Sequence, residues 1–253
     1  MPADRRPGDA QAETRGADAG EIVEIAEELA APVERVFAEI AVIAQALTDV
    51  VTAVEGRSRR VRSADLGVIV PVADGILTGD GSLVGAGVVM NPGYLEDAER
   101  YLEWRQLTRD GRLKPLLLDI DPASDDPYDY WEMEWFRVPR DEGRRMVGGP
   151  YFDYRGADRF GLTFAAPVAV GGRFVGVAGA DVPLAELESE LLPVLRRLHQ
   201  RAALVNHESR VVTANTPHYA TGARIHHGIG DPPTDVVPVV PDLGWSLLLT
   251  PAE

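Results

Sequence analysis

Two apolar runs separated by a pair of glycines constrain the fold more than any other part of this chain. Residues 161–170 and 174–182 are both rich in small and branched apolar side chains, and Gly171 and Gly172 lie between them. A pair of glycines accepts the positive φ angles of a two-residue hairpin turn, and runs of this length are typical of buried strands. The sequence therefore predicts two adjacent antiparallel strands, of which the second closes on the lone acid Asp181.

An aromatic segment precedes these strands. Its rings belong to Tyr128, Tyr130, Trp131, Trp135 and Phe136. We expect residues 128–136 to form a short helix and Tyr151 to follow in a loop. Aromatic rings near a strand-end carboxylate form a cup for a small cation, because the π faces attract positive charge and the acid neutralises it. The alternative is that the rings are core residues, since on a regular helix Phe136 does not share the face of Trp131 and Trp135.

Several features of the C-terminal half follow one another in a distinctive order. They are the triplet Tyr151-Phe152-Asp153, an apolar strand ending in Ala-Pro-Val, the glycine turn, and the run Val-Gly-Val-Ala-Gly-Ala-Asp. Together they resemble the core of Cache sensor domains, which are PAS-like, PDC-type ligand-binding modules of bacterial receptors. The resemblance covers most of the chain after about residue 60. It implies an α+β fold with a central antiparallel sheet of five or six strands, a long N-terminal helix and flanking helices.

The resemblance also implies a ligand site. In the amino-acid-sensing branch of the family, a Tyr, an Arg, a Trp-Tyr pair, a second Tyr and an Asp hold the ligand. The matching positions here are Tyr128, Trp135, Phe136, Tyr151 and Asp181. Phe136 lacks the hydroxyl of the family's tyrosine, and Met133 stands where the family has Arg. A methionine cannot supply a charge-assisted, bidentate grip on a carboxylate.

The charged residues near Met133 leave two alternatives open. Glu132 and Glu134 flank it, and a glutamate at this wall would favour an amine in place of a carboxylate. As solvated helix charges, neither would take part in binding. Arg105, on a predicted strand, could instead supply the lost cationic grip from another direction.

Asp181 also has an alternative role, because acids often cap a helix and Pro183 predicts a helix start. The match to the family pattern favours ligand binding. The residues predicted to bind ligand are Tyr128, Met133, Glu134, Trp135, Phe136, Tyr151 and Asp181.

The chain divides into three regions. Residues 1–20 contain few large apolar side chains and are predicted to be a disordered tail. In residues 21–57, apolar side chains recur at steps of three and four, which predicts a long helix that Pro32 kinks or restarts. The apolar stripe of this helix either forms a dimer contact or packs on the sheet of its own domain. Residues 58–253 are predicted to be a single Cache-like domain without an internal repeat.

The remaining elements follow from local patterns. The predicted strands are residues 83–90, two around the turn at 109–112 of which the second is 113–120, then 210–214 and 245–250. The predicted helices are a broken one at 64–77 and one at 184–204. The stretch 226–242 is rich in proline and predicted to be irregular.

Charge and cysteine content exclude several classes of function. The net charge of −15 argues against binding to nucleic acid or to anionic membranes and mildly favours cationic ligands. Without cysteine, the chain forms no disulfide and has no thiolate chemistry. The N-terminal residues lack the apolar core of a signal peptide, and no apolar run approaches the ~20 residues of a membrane span. We therefore expect a cytoplasmic protein.

Metal and enzyme motifs are absent from the sequence. His226 and His227 are adjacent, and His199 and His207 lie far away at no ligand spacing, which predicts no metal site. There is no Gly-x-Ser-x-Gly, His-Glu-x-x-His or phosphate loop, so we expect neither a cofactor nor an enzyme.

The leading hypothesis is a cytoplasmic sensor domain that binds an amine-bearing ligand, namely an amino acid, an amine or a polyamine. It would form a homodimer through the N-terminal helix and signal in trans to a transcription regulator. The alternatives are a small hydrolase or isomerase that acts on an amine in the same pocket, and a dimerisation protein that binds no ligand.

Overall fold

In the computed structural model of the protein, residues 19–79, 83–153, 159–225 and 235–250 are described. Within these ranges the helices are α1 (Ala19–Glu55), α2 (Ile69–Leu77), α3 (Glu134–Glu142) and α4 (Leu184–Leu195). The strands are β1 (Gly85–Met90), β2 (Leu102–Leu107), β3 (Leu113–Pro115), β4 (Met146–Asp153), β5 (Arg159–Val170), β6 (Arg173–Pro183), β7 (Arg201–Val205), β8 (Val211–Ala214), β9 (Asp235–Val240) and β10 (Trp245–Thr250). Short 3₁₀ turns occupy Ser63–Val68, Tyr130–Glu132 and Pro241–Leu243.

Strands β1 to β6 form one antiparallel sheet in the order β3-β2-β1-β6-β5-β4. The hairpin of β5 and β6 turns at Gly171 and Gly172, whose φ angles are 58° and 77°. Glycine adopts such angles at little steric cost, and the predicted hairpin is confirmed. With α1 and the flanking helices, this sheet also confirms the predicted α+β fold.

Helix α1 packs along this sheet. Its apolar stripe is buried between Ile25 and Val54, and the helix contacts β1, β5 and β6. Pro32 lies inside the helix without ending it. Fully burying a Leu or Ile side chain stabilises a fold by about 1.5–3 kcal/mol, so the stripe contributes strongly to the core. The stripe therefore serves the domain's own sheet, and dimerisation through α1 stays a prediction.

Helix α1 is also apolar over a long stretch. It contains an 18-residue window with a mean hydropathy of 1.6, of which 33% is buried. By length and composition alone the helix could cross a membrane, which corrects the expectation that no segment approaches a membrane span. Helices that pack on the core of a folded domain meet the same criterion, and α1 does pack on the sheet.

A second antiparallel sheet has the order β8-β7-β10-β9. The predicted strands at 210–214 and 245–250 belong to this sheet, but the prediction of a helix to residue 204 was wrong because α4 ends at Leu195. The short run that follows fits a helix or a strand by periodicity alone, and pairing with β8 and β10 makes it strand β7. Strand β9 replaces part of the predicted irregular stretch. Its Pro238 is tolerated because β9 lies at the edge of the sheet.

Some predictions concern parts of the chain outside the described residues. These are most of the predicted tail at residues 1–20, of which only Ala19 and Gly20 are described, as the start of α1, and the adjacent His226 and His227. The assignment of residues 58–253 to a single ligand-binding domain stays a prediction.

Candidate ligand-binding site

The two faces of the six-stranded sheet are covered by different elements. Successive residues of a strand face opposite sides, so Ala86 and Val88 of β1 join the core under α1 while Val89 packs with the aromatic segment. On the aromatic face lies a cavity of about 500 Å³. Strands β1, β2, β4, β5 and β6 and residues 128–135 contribute to its wall.

Three polar side chains of the cavity wall are joined by hydrogen bonds. Asp181 of β6 is paired in register with Thr163 of β5, whose hydroxyl donates a hydrogen bond of 2.7 Å to Asp181 Oδ1. The hydroxyl of Tyr151 is hydrogen-bonded to the same Thr163 hydroxyl. Tyr151 lies on strand β4, which corrects its prediction as a loop residue. Thr163 was missed, although it is the one polar side chain in the apolar run 161–170.

A glycine leaves room for the carboxylate of Asp181. Gly85 of β1 lies opposite Asp181 in register. A Cβ at Gly85 would lie 2.7 Å from Asp181 Oδ2 and 2.8 Å from Trp104 Nε1. Trp104, on β2, is 6% exposed, and its indole N–H has no hydrogen-bond partner among the described residues. The carboxylate of Asp181 and the indole N–H of Trp104 therefore both border the space that Gly85 leaves open.

The aromatic segment is irregular, and the break is at Met133. The 3₁₀ turn Tyr130–Glu132 ends there, Met133 is extended with φ −67° and ψ 136°, and α3 begins at the next residue. Because of this break, side chains on both sides of Met133 reach the cavity. The predicted residues that line it are Tyr128, Met133, Glu134, Trp135, Tyr151 and Asp181.

Phe136 is placed differently from the other predicted residues. It is fully buried and does not belong to the cavity wall. Its ring packs edge-on against Tyr130 and Phe174, at centroid distances of 5.0 and 5.7 Å. On α3 it follows Trp135 by one residue and therefore faces about 100° away. It supports the wall from behind and does not touch the space inside.

Tyr130 lines the cavity, although it was not among the residues predicted to bind ligand. It is fully buried, and its hydroxyl donates to the backbone oxygen of Met90 at 3.0 Å. Burial raises the pKa of Tyr130 to about 12, so the phenol stays neutral. The hydrogen bond of Tyr130 joins the 3₁₀ turn Tyr130–Glu132 to strand β1, and Tyr130 also lines the cavity.

Arg105 does not reach the cavity. Its guanidinium is paired with Asp74 of α2, with Nε 2.6 Å from Oδ1. Its neighbours Trp104 and Gln106 line the cavity, and alternation along β2 turns Arg105 to the opposite face. Of the described wall residues, the charged ones are Asp181 and Glu134, and both are acids.

The second sheet touches this wall through the turn between β7 and β8. Asn206 Nδ2 donates to the backbone oxygen of Gly149 at 2.7 Å. His207 Nε2 lies 3.4 Å from Glu134 Oε1. Gly149 and Glu134 both line the cavity, so its rim is in contact with both sheets.

Residues 75–189 match the family described as methyl-accepting chemotaxis protein-like, first PDC sensor domain. This region is a PDC-type sensor domain. The matched residues include strands β1 to β6 and every residue predicted to bind ligand. The resemblance to PDC-type Cache sensors is therefore confirmed. The family consists of sensors, in agreement with the expectation that the chain is not an enzyme.

Solved structures with the same fold include several receptor domains. Methyl-accepting chemotaxis protein X is 18% identical with a TM-score of 0.63, and the match covers 92% of this chain and 96% of that one. The extracellular domain of the histidine kinase soHK1S-Z6 is 15% identical with a TM-score of 0.58, over 92% and 93% of the chains. The ligand-binding domain of the Pseudomonas aeruginosa PAO1 amino acid chemoreceptor PctC, in complex with GABA, is 17% identical with a TM-score of 0.54, over 92% and 97%. No curated protein sequence matches the chain.

Proposed function

We propose that the PDC domain is a sensor that binds a small amine-bearing ligand in the cavity. The observation that carries this proposal is the carboxylate of Asp181 in the wall of a cavity that is also lined by aromatic rings. Thr163 donates to one carboxylate oxygen and thereby fixes its orientation. An ammonium group would give its protons to the carboxylate, and the rings of Tyr128 and Trp135 would add cation–π attraction.

The fold supports the same proposal. PctC, which shares it, is described as an amino acid chemoreceptor and is in complex with GABA, a molecule with an amino group. In this chain, however, Met133 follows the short turn at the wall, and no described wall residue is cationic. These two facts favour amines over ligands that need their carboxylate to be gripped.

Binding can signal only if the ligand favours one of two states of the protein. Tyr128, Met133 and Glu134 belong to the irregular segment, so a ligand that contacts them would order this segment over the sheet. The sheet packs on α1, and a shift of α1 would reach a partner protein. In this proposal the partner is a separate transcription regulator.

The test is a thermal-shift screen of the purified full chain with amines, polyamines, amino acids and short carboxylates. A ligand at a hundred times its Kd adds about 2.7 kcal/mol of stability. We expect shifts with amines that Asp181→Asn abolishes and that Asp49→Asn, on the exposed side of α1, leaves intact. Amine shifts that survive Asp181→Asn would reject this site.

A cytoplasmic location and a homodimer complete the proposal. The apolar stripe of α1 packs on the domain's own sheet, which supports a location away from the bilayer. Val23 and Val42 on the outer side of α1 are each 55% exposed, which supports a contact between the α1 helices of two protomers. Fractionation of cells that produce the full-length protein tests the first part. The soHK1S-Z6 domain is extracellular, so recovery outside the cytoplasm is the opposing result. Sedimentation of wild type and Val42→Glu tests the second.

A further inference from the structure

The charges on the cavity wall are unusually one-sided. Asp181 and Glu134 are the charged side chains among the described wall residues, and the rest of that wall is apolar, aromatic, or polar and neutral. Two like charges around one enclosed space repel a ligand carboxylate and attract positive charge.

The two acids belong to different elements of the wall and differ in exposure. Asp181 projects from β6 in the sheet and is half-buried beside Thr163, which is 5% exposed. Glu134 is the first residue of α3, which covers the sheet, and its side chain is 46% exposed. A ligand that meets both must therefore reach from the sheet to the covering helix α3.

Local contacts leave Glu134 available to a ligand. His207 approaches one of its oxygens at 3.4 Å, which is long compared with the about 2.7–3.2 Å of an N–H···O hydrogen bond. An acid in the first turn also interacts favourably with the helix dipole, which is a purely structural role for Glu134. A structural role affects all ligands equally, so selectivity between ligands separates the two roles.

We propose that the sensor selects a linear diamine, with one ammonium on Asp181 and the second on Glu134. This proposal rests on the proposed function, because it keeps the same amine at Asp181 and adds a second contact. The carbon chain of the diamine lies along the rings of Tyr128 and Trp135, which supply apolar contact. The second ammonium also supplies the positive charge that Met133, next to Glu134, does not provide at this part of the wall.

The experiment compares three ligands that differ only at the far end of a four-carbon chain. They are butylamine, 1,4-diaminobutane and 4-aminobutanoate, titrated calorimetrically into the full chain. We expect 1,4-diaminobutane to bind at least tenfold more tightly than butylamine and 4-aminobutanoate to bind most weakly. Glu134→Gln should reduce 1,4-diaminobutane to the level of butylamine without changing butylamine itself. Glu132→Gln, in the same segment but outside the wall, is the matched control.

The outcomes separate this inference from the proposed function. Equal affinity for butylamine and 1,4-diaminobutane, or tightest binding of 4-aminobutanoate, would overturn the diamine inference and leave an amine sensor. The inference is also overturned if Glu134→Gln weakens all three ligands alike, since the residue would then act on the fold of the wall. A folded protein that binds none of the three ligands contradicts both proposals.

Discussion

Thr163 joins two residues whose importance the family pattern indicated separately. Its hydroxyl donates to Asp181 and is hydrogen-bonded to Tyr151, so the three side chains act as one unit. Because the donor is buried, the position of the carboxylate depends on it more than it would in water. Without Thr163, Asp181 and Tyr151 would each lose the hydrogen bond that links them.

Replacing Thr163 by valine therefore tests the site at the scale of one hydroxyl. Valine has nearly the same shape and suits a strand, so the fold should lose only about 1 kcal/mol. We expect amine affinity to fall about tenfold, as the loss of one hydrogen bond to a charged group implies. Thr213→Val is the control, because Thr213 is buried and bonded to Glu188 in the region of the second sheet. If both variants weaken binding equally, Thr163 has no special role.

At the scale of elements, strand β1 passes so closely to its neighbours that two of its glycines are required for different reasons. A Cβ at Gly85 would meet side-chain atoms of Asp181 and Trp104. A Cβ at Gly87 would lie 2.1 Å from the backbone oxygen of Glu103, a contact that only a shift of the strand can relieve. One clash is with the site and the other is with the sheet.

These clashes predict that one substitution weakens ligand binding and the other weakens the fold. Gly85→Ala should weaken amine binding more than tenfold while the protein remains folded, because side chains can move aside. Gly87→Ala should lower the melting temperature by many degrees, since overpacking that moves backbone costs about 1–3 kcal/mol or more. Gly75→Ala on α2 has open space around it and serves as the neutral control. Unfolding and titration of the three variants measure both effects, and a Gly85→Ala protein with wild-type affinity would contradict the geometry.

The elements also show which parts of the fold the sequence could predict. The β5–β6 hairpin was predictable because its turn chemistry and both apolar runs lie next to each other in the chain. Strand β4 was not, because Gly148, Gly149 and Pro150 interrupt its pattern, and its pairing with β5 shifts register there. Its strand character comes from the partner strand and not from its own residues. Phe136 was misplaced for a related reason, since a break at Met133 decides which ring faces the cavity.

For the whole molecule, long-range pairing was the main thing that local patterns lacked. The helical stripe of α1, the aromatic segment and the lone strand-end acid were visible in the sequence, and six of the seven predicted site residues line one cavity. The second sheet was not foreseen, because β7 and β9 are short and gain their identity from β10 between them. The role of Gly85 depends equally on a register that sequence spacing does not specify.

The contact between the sheets can be tested without disturbing either sheet. The side-chain oxygen of Asn206 accepts bonds from the N–H groups of Glu208 and Arg210, while its Nδ2 donates to Gly149. Asn206→Asp keeps the acceptor and removes the donor. We expect an unchanged β7–β8 turn, a several-fold change in amine affinity, and loss of ligand-induced protection of the β7–β8 turn in hydrogen exchange. Ser209→Ala, in the same turn, should preserve that protection. Protection that persists in Asn206→Asp would show that the two sheets communicate by another route.

The side chain of Asn206, from the β7–β8 turn, holds Gly149 in the cavity wall, so any coupling between ligand binding and the second sheet is reciprocal. If a ligand in the cavity alters the affinity of the β7–β10 sheet for a partner protein, that partner alters ligand affinity by the same factor. A partner protein bound there would thus change the ligand affinity of the sensor. The ligand concentration at which the sensor responds would then be a property of the complex and not of the sensor alone.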